Sequence, residues 1–419
     1  MILFALLSLS CVYDKSGFLL GIGEKTVSIS FYKIIYLVLV YPFAIYLLHK
    51  GKISYPNYFD QKLYRVIWIV VLGQTGASLL GSMYTSGKII LASEIYHLIQ
   101  RSGALMIPLW ALRYRLSPKS VLKWFLAAIL IHYLFISLQF VFPGAYAAFL
   151  SYVHDPLRPD NSLGWMGESW VFVGLQRTQN YGTFVAAFIL LMLGFTSWNR
   201  LGKICFLTVL LLSICSALFN ASRSVLIMTG VVIFVFFKQT RIFSKTQTYL
   251  YGIVLFIIVV CGYSLLEIRD ITVFESINRF MSGETAGSNV GKLSIIDYSL
   301  QLFIQSPIVG WGAQRFADIT APLGNISFST SEVHFYILSV LISSGLVGLA
   351  LYFVFSFKII GSLLRCSDWD YAIVCAMFSG LFIYNFIYDA GGLDILGCFN
   401  GVAAYFALTA RKCRSENLK

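Results

Sequence analysis

Apolar stretches of about 18 residues or more recur along the chain, each long enough for an α-helix to cross a hydrocarbon layer of about 30 Å. The pattern predicts about twelve such spans, with ends good to a few residues. They cover 3–21, 30–48, 66–84, 89–112, 120–142, 178–196, 204–219, 224–237, 248–266, 333–356, 371–388 and 392–409. Asp14 and Lys15 interrupt the first of them. Two segments between spans are long and polar, 143–177 and 267–332. Within the second, SGETAGSNVG at 282–291 reads as a flexible, turn-rich stretch. Beyond it Leu293, Ile296, Leu300, Phe303 and Ile304 recur at helical spacing, which predicts a short helix lying on the membrane or against the spans. SPIVGWGAQRF then ends that helix with Pro307, Gly310 and Gly312. The expected fold class is an all-α integral membrane protein, one polytopic domain over 1–419 with two outward loops.

Composition agrees with the pattern. The chain is 58% hydrophobic and 12% charged, with a mean hydropathy of +0.78, which excludes an ordinary soluble domain. The net charge of +12 would suit a nucleic-acid partner, but its distribution argues for topology instead. Basic clusters fall in alternate short loops: Lys50, Lys52, Lys62 and Arg65; Arg113, Arg115, Lys119 and Lys123; Arg200 and Lys203; Lys238, Arg241 and Lys245; Lys358 and Arg365; and Arg411, Lys412, Arg414 and Lys419 near the C-terminus. Under the positive-inside rule these face the cytoplasm if both termini do, and no nucleic acid is needed to explain them. The cysteines fall inside spans or on the cytoplasmic side, so no disulfide framework is expected. The first apolar run lacks a basic start and a small-residue cleavage site, and is read as a span and not as a signal peptide.

Candidate chemistry concentrates where the charge rule disfavours basic residues. Arg177, Arg223, Arg279, Lys292 and Arg315 stand at or near outward mouths. A guanidinium fork binds phosphate oxygens two at a time, so a converging group suits a diphosphate; singly, each suits an outer acid or a lipid headgroup equally well. His334 sits at the outward start of the tenth span, with Glu332 two residues before it. It either reaches a sugar hydroxyl or phosphate, or is an interfacial histidine at a helix entrance. Glu332 either orients His334 or favours the helix N-terminus.

Glu94, His97 and Arg101 are spaced to share one face of the fourth span. They form either a proton or substrate path, or a Glu94 to Arg101 ion pair that locks neighbouring spans. GLVG at 345–348 permits close helix packing. No HExxH, paired-cysteine or P-loop motif occurs, so no metal site and no nucleotide cofactor is expected.

RTQNYG, NASRSVLIMTG, SPIVGWGAQRF and VHFYILSVLISSGLVGL, in that order and at those membrane positions, resemble the O-antigen ligase and polymerase (Wzy-type) superfamily. The resemblance covers roughly 177–351, and its specificity lies in the order of motifs. It implies glycosyl transfer at the periplasmic face of the bacterial inner membrane, with undecaprenyl diphosphate as carrier and leaving group. Carried over, Arg177, Arg223 and Arg279 or Arg315 hold the diphosphate and His334 carries catalysis, with Glu332 beside it. Lys292 stands where the family often has arginine; it keeps the charge and loses the fork. The implied partners are undecaprenyl-diphosphate-linked glycans, membrane lipid and a chain-length regulator protein. The polymerase reading is preferred, with a ligase acting on lipid A-core as the alternative. A transporter or flippase of lipid-linked glycans is the rival from another class, and it predicts repeated halves that the sequence does not show.

Overall fold

The computed structural model describes residues 17–22, 25–30, 56–87, 91–114, 286–313, 335–366, 368–387 and 393–416, with isolated positions at 38–46, 89, 116–148 and 231–240. It resolves into two compact units. One comprises Met1–Ile35, Leu116–Thr285 and Ser367–Leu381; the other comprises Tyr36–Arg115, Ala286–Cys366 and Phe382–Lys419.

The described elements, in chain order, are β1 (Gly17–Ile22), β2 (Lys25–Ser30), α1 (Gln61–Ser86), α2 (Leu91–Arg113), α3 (Ala286–Gln305), α4 (Tyr336–Leu363), α5 (Trp369–Ile387) and α6 (Leu393–Glu416). The helical expectation holds for all but the first two. β1 and β2 form an antiparallel hairpin in which Gly17 faces Ser30 and Ile22 faces Lys25. This corrects the first expected span: its described part, residues 17–21, is strand. The TVSIS stretch alternates apolar and polar side chains with a period of two, a strand signal that a hydropathy window averages away. In the same unit Trp369 packs edge-on against Phe236, with ring centroids 5.3 Å apart.

The second unit carries most of the described residues. Among the described residues of the chain, α1, α4 and residues 369–386 of α5 are long and apolar enough to cross a membrane. α1 begins where Asp60 accepts a hydrogen bond from the Leu63 N–H at 3.1 Å and ends at Gly87, which adopts the left-handed conformation, φ 63°. Leu63, Ile67, Val70, Gln74, Ala77, Ser78, Gly81 and Ser82 form its buried face. Ile69, Leu72, Leu80, Met83 and Tyr84 form an exposed apolar face, as a lipid-facing helix requires.

α1 packs mainly against α4, and α2 against α6. The second pair meets at Gly401, where an added Cβ would stand 2.6 Å from the Gly103 carbonyl oxygen. Arg411 of α6 also reaches the α1 cap, its Nη2 lying 3.2 Å from Asp60. Tyr352 stacks on Phe382 and accepts a hydrogen bond from Asn385 at 2.9 Å, joining α4 to the end of α5.

α4 is broken. Gly345 has φ 62° and ψ −161°, a conformation that essentially only glycine adopts. The break leaves helical carbonyls and N–H groups without intrahelical partners, and the turn after α3 supplies them. Trp311 N–H donates to the Ile342 carbonyl at 2.6 Å and Gly312 N–H to Ser343 at 3.0 Å. In return Leu346 N–H donates to Pro307 at 2.9 Å and Val347 N–H to Ile308 at 3.2 Å. Irregular backbone in an apolar chain is tolerated only where protein satisfies it in this way. The GLVG stretch thus does more than permit close packing. It opens a slot in the helix.

The end of α3 is fixed in the same place, because Trp311 Nε1 donates to the Leu302 carbonyl at 2.8 Å and Ser306 Oγ to Gly310 at 2.6 Å. α3 begins at Ala286, so residues 286–291 are helix and not the expected turn-rich stretch. The face of α3 that packs inward is Ile295, Ser299 and Leu302. Leu300 and Ile304 of the expected apolar stripe stay exposed, as for a helix with one side against lipid.

Candidate functional site

Of the residues singled out from the sequence, Arg177, Arg223, Arg279, Arg315, Glu332 and His334 lie outside the described residues. Lys292 lies on α3, with its side chain outside them. Tyr336, which opens α4, follows His334 by two residues in the chain. Among the described residues no group of three His, Cys, Asp or Glu side chains stands together as a metal site.

The structure does bring together the second constellation, on α2. Helical spacing of three and seven puts Glu94, His97 and Arg101 on one face. Glu94 is buried, 4% exposed, and acts as a knot between three segments. Ser78 Oγ donates to both of its oxygens at 3.0 and 2.9 Å, and Ser82 Oγ donates to Oε1 at 2.9 Å. The Ala313 N–H donates to Oε1 at 3.0 Å. One carboxylate therefore ties α1, α2 and the turn after α3. Three donors satisfy its buried oxygens.

This corrects the expected Glu94 to Arg101 pair. Glu94 influences Arg101 electrostatically, but its hydrogen bonds go to hydroxyls and a backbone N–H. The sequence carried a signal for this partner set. Ser78 and Ser82 are four residues apart in a largely apolar stretch of α1, so both face one neighbour.

His97 and Arg101 instead line a small cleft with Gln74, Tyr336, Ser339, Val340 and Ser343. Gln74 is held in place by donating to the Gly348 carbonyl at 3.0 Å. Arg101 Nη1 is buried and has no hydrogen-bond partner among the described residues. The cleft is closed on one side by the first two turns of α4, whose position follows from the slot at Gly345. Gly310 fits that slot only as glycine, because a Cβ there would run into the Ile342 carbonyl oxygen.

Cys366, buried at the end of α4, is disulfide-bonded. This goes against the expectation of no disulfide framework, which sorted the cysteines by compartment.

Comparison with known proteins adds one positive finding. No curated protein matches the chain. Residues 208–353 match the sequence model of a family described as O-Antigen ligase. The matched segment is about a third of the 419 residues; it contains Arg223, Arg279, Lys292, Arg315, Glu332 and His334, and ends within α4. Arg177 and the Glu94, His97, Arg101 face lie outside it. The order of motifs and this match together support the O-antigen ligase/polymerase superfamily for this chain.

Proposed function

We propose that the protein is an O-antigen polymerase: a multi-pass glycosyltransferase of the inner membrane that joins undecaprenyl-diphosphate-linked oligosaccharide repeat units at the periplasmic face and releases undecaprenyl diphosphate. The match over 208–353 carries this reading, because it takes in the outer-loop basic residues and the histidine in one segment. In the reaction, the acceptor hydroxyl oxygen attacks C1 of the donor glycan. The bond from C1 to the phosphate oxygen breaks, and the diphosphate leaves with the electron pair. Arg177, Arg223, Arg279, Lys292 and Arg315 hold that diphosphate and offset its growing charge. His334, oriented by Glu332, takes the hydroxyl proton. The activated leaving group supplies the driving force, and no metal step is invoked. A chain-length regulator protein and membrane lipid are the proposed partners.

The choice of polymerase over ligase rests on the aromatic character of the chain, with 35 Phe and 25 Tyr, which suits a protein fitted to one particular glycan. The transport reading drew on Glu94, His97 and Arg101. Glu94 is held by three fixed donors that tie α1, α2 and the turn after α3, an arrangement that suits a structural knot.

Silver-stained lipopolysaccharide from a strain lacking the gene, then complemented, tests the proposal. A single band of core plus one unit is expected, since a ligase still transfers unpolymerised units. Bare core, with polymer accumulating on the lipid carrier, would reassign the chain as a ligase. An unchanged ladder would reject both readings. Complementation with His334→Ala or Arg223→Ala, at normal protein levels, is expected to leave the single band.

A further inference from the structure

Arg101 has no part in the reaction just proposed, yet its setting calls for an explanation. Its Nη1 is buried without a hydrogen-bond partner among the described residues, whereas buried polar groups are as a rule paired. A guanidinium midway along a helix of an apolar chain is costly unless something compensates it. Tyr336 and Glu94 interact with it electrostatically, but Glu94 has committed its oxygens to Ser78, Ser82 and the Ala313 N–H.

The rest of the cleft wall is Gln74, His97, Tyr336, Ser339, Val340 and Ser343. Among the described residues the wall holds an amide, an imidazole and three hydroxyls and no carboxylate; Gln74 spends one N–H on the Gly348 carbonyl and Ser343 its hydroxyl on Val340, which leaves Arg101 Nη1 as the principal donor facing the cleft. Such a wall suits an oxyanion. The cavity is about 10 Å³, the scale of one water molecule. It admits a single oxygen and excludes a sugar ring.

We propose that this cleft between α1, α2 and the first turns of α4 binds a phosphate oxygen of a lipid, with Arg101 as its principal donor. The rest of the headgroup stays outside the cleft. Two lipids present that chemistry: the polyprenyl phosphate carrier and an ordinary anionic phospholipid. The carrier as occupant rests on the proposed glycosyl-transfer function; the anion site itself does not.

The test uses the full chain purified in detergent, with undecaprenyl phosphate and phosphatidylglycerol as probes and binding read by native mass spectrometry. Arg101→Gln is expected to weaken binding by about tenfold or more, and Arg101→Lys by less, since lysine keeps the charge and loses the fork. A loss confined to undecaprenyl phosphate assigns the cleft to the carrier. An equal loss for both lipids assigns it to a phospholipid headgroup. Unchanged affinity for both probes in a folded Arg101→Gln protein overturns the site and leaves the proposed function standing. Should that variant not fold, Tyr336→Phe, which removes one wall hydroxyl, takes its place; a severalfold loss supports the site and no change overturns it. The lipopolysaccharide ladder can fail without affecting this readout, because lipid binding is measured on the purified protein.

Discussion

Replacing Glu94 by alanine removes the acceptor for three buried donors at once: Ser78, Ser82 and the Ala313 N–H. Each buried group left unsatisfied costs about 1–3 kcal/mol, so Glu94→Ala is expected to destabilise the protein by roughly 3 kcal/mol or more. Glu94→Gln keeps one acceptor oxygen and roughly the same volume, but its amide nitrogen would face a donor, so an intermediate loss is expected. Detergent-solubilised melting curves of the two variants check the ranking. Equal stability of Glu94→Ala and wild type would remove the knot from this account. The sequence made the shared face of Glu94, His97 and Arg101 legible through helical spacing alone. It did not reveal the partners. The ion pair was the natural expectation because charges are easy to see in a sequence, whereas a backbone N–H some two hundred residues away carries no residue-specific signal.

At the scale of elements, apolar run length located α1, α2, α4, α5 and α6 among the described residues and placed their ends poorly. The 66–84 span became Gln61–Ser86 because Asp60 caps the helix one turn earlier, through Gln61, Lys62 and Arg65, which a hydropathy window scores as loop. α6 likewise runs past the expected 409 to Glu416, through Arg411 and Lys412. The glycine and serine residues of 286–291 argued for a turn, but propensity is a weak prior that tertiary anchoring overrides, and α3 is anchored at its far end by Trp311. The break in α4 was invisible for a different reason: GLVG has the same composition whether it packs two helices or interrupts one. The break gives a sharp prediction. A Cβ at Gly345 would run into the Ile308 carbonyl and would also hold a conformation reserved for glycine. Gly345→Ala is therefore expected to cost at least about 2 kcal/mol and to release the turn at 306–312 from α4. Hydrogen exchange of the Leu346 and Val347 amides, which depend on Pro307 and Ile308, should speed up markedly while those of α6 do not. Slow exchange at both amides in the variant would mean that the turn is not what completes the broken helix.

For the whole molecule, the basic loops make a prediction about sidedness that binds the proposed chemistry together. If Lys238, Arg241 and Lys245 and the C-terminal Arg411, Lys412 and Arg414 are cytoplasmic, the segment 267–332 is periplasmic, and with it Arg279, Arg315, Glu332 and His334. A glycosyl transfer from a polyprenyl diphosphate displayed outside requires that placement, since none of these residues would otherwise meet the donor. A membrane-impermeant maleimide in cells with a permeabilised outer membrane reads it directly. A cysteine introduced at Ser282 is expected to be labelled in intact inner membranes. One introduced at Ser415, among the C-terminal basic residues, should react only after lysis. The native Cys413 beside it serves as an internal control, because it should share that protection. The converse pattern would turn the protein over in the membrane and put His334 on the wrong side for any periplasmic acceptor. The charge-based topology and the proposed reaction would then fall together, while the Glu94 knot and the Gly345 slot, which depend on contacts within one unit, would stand.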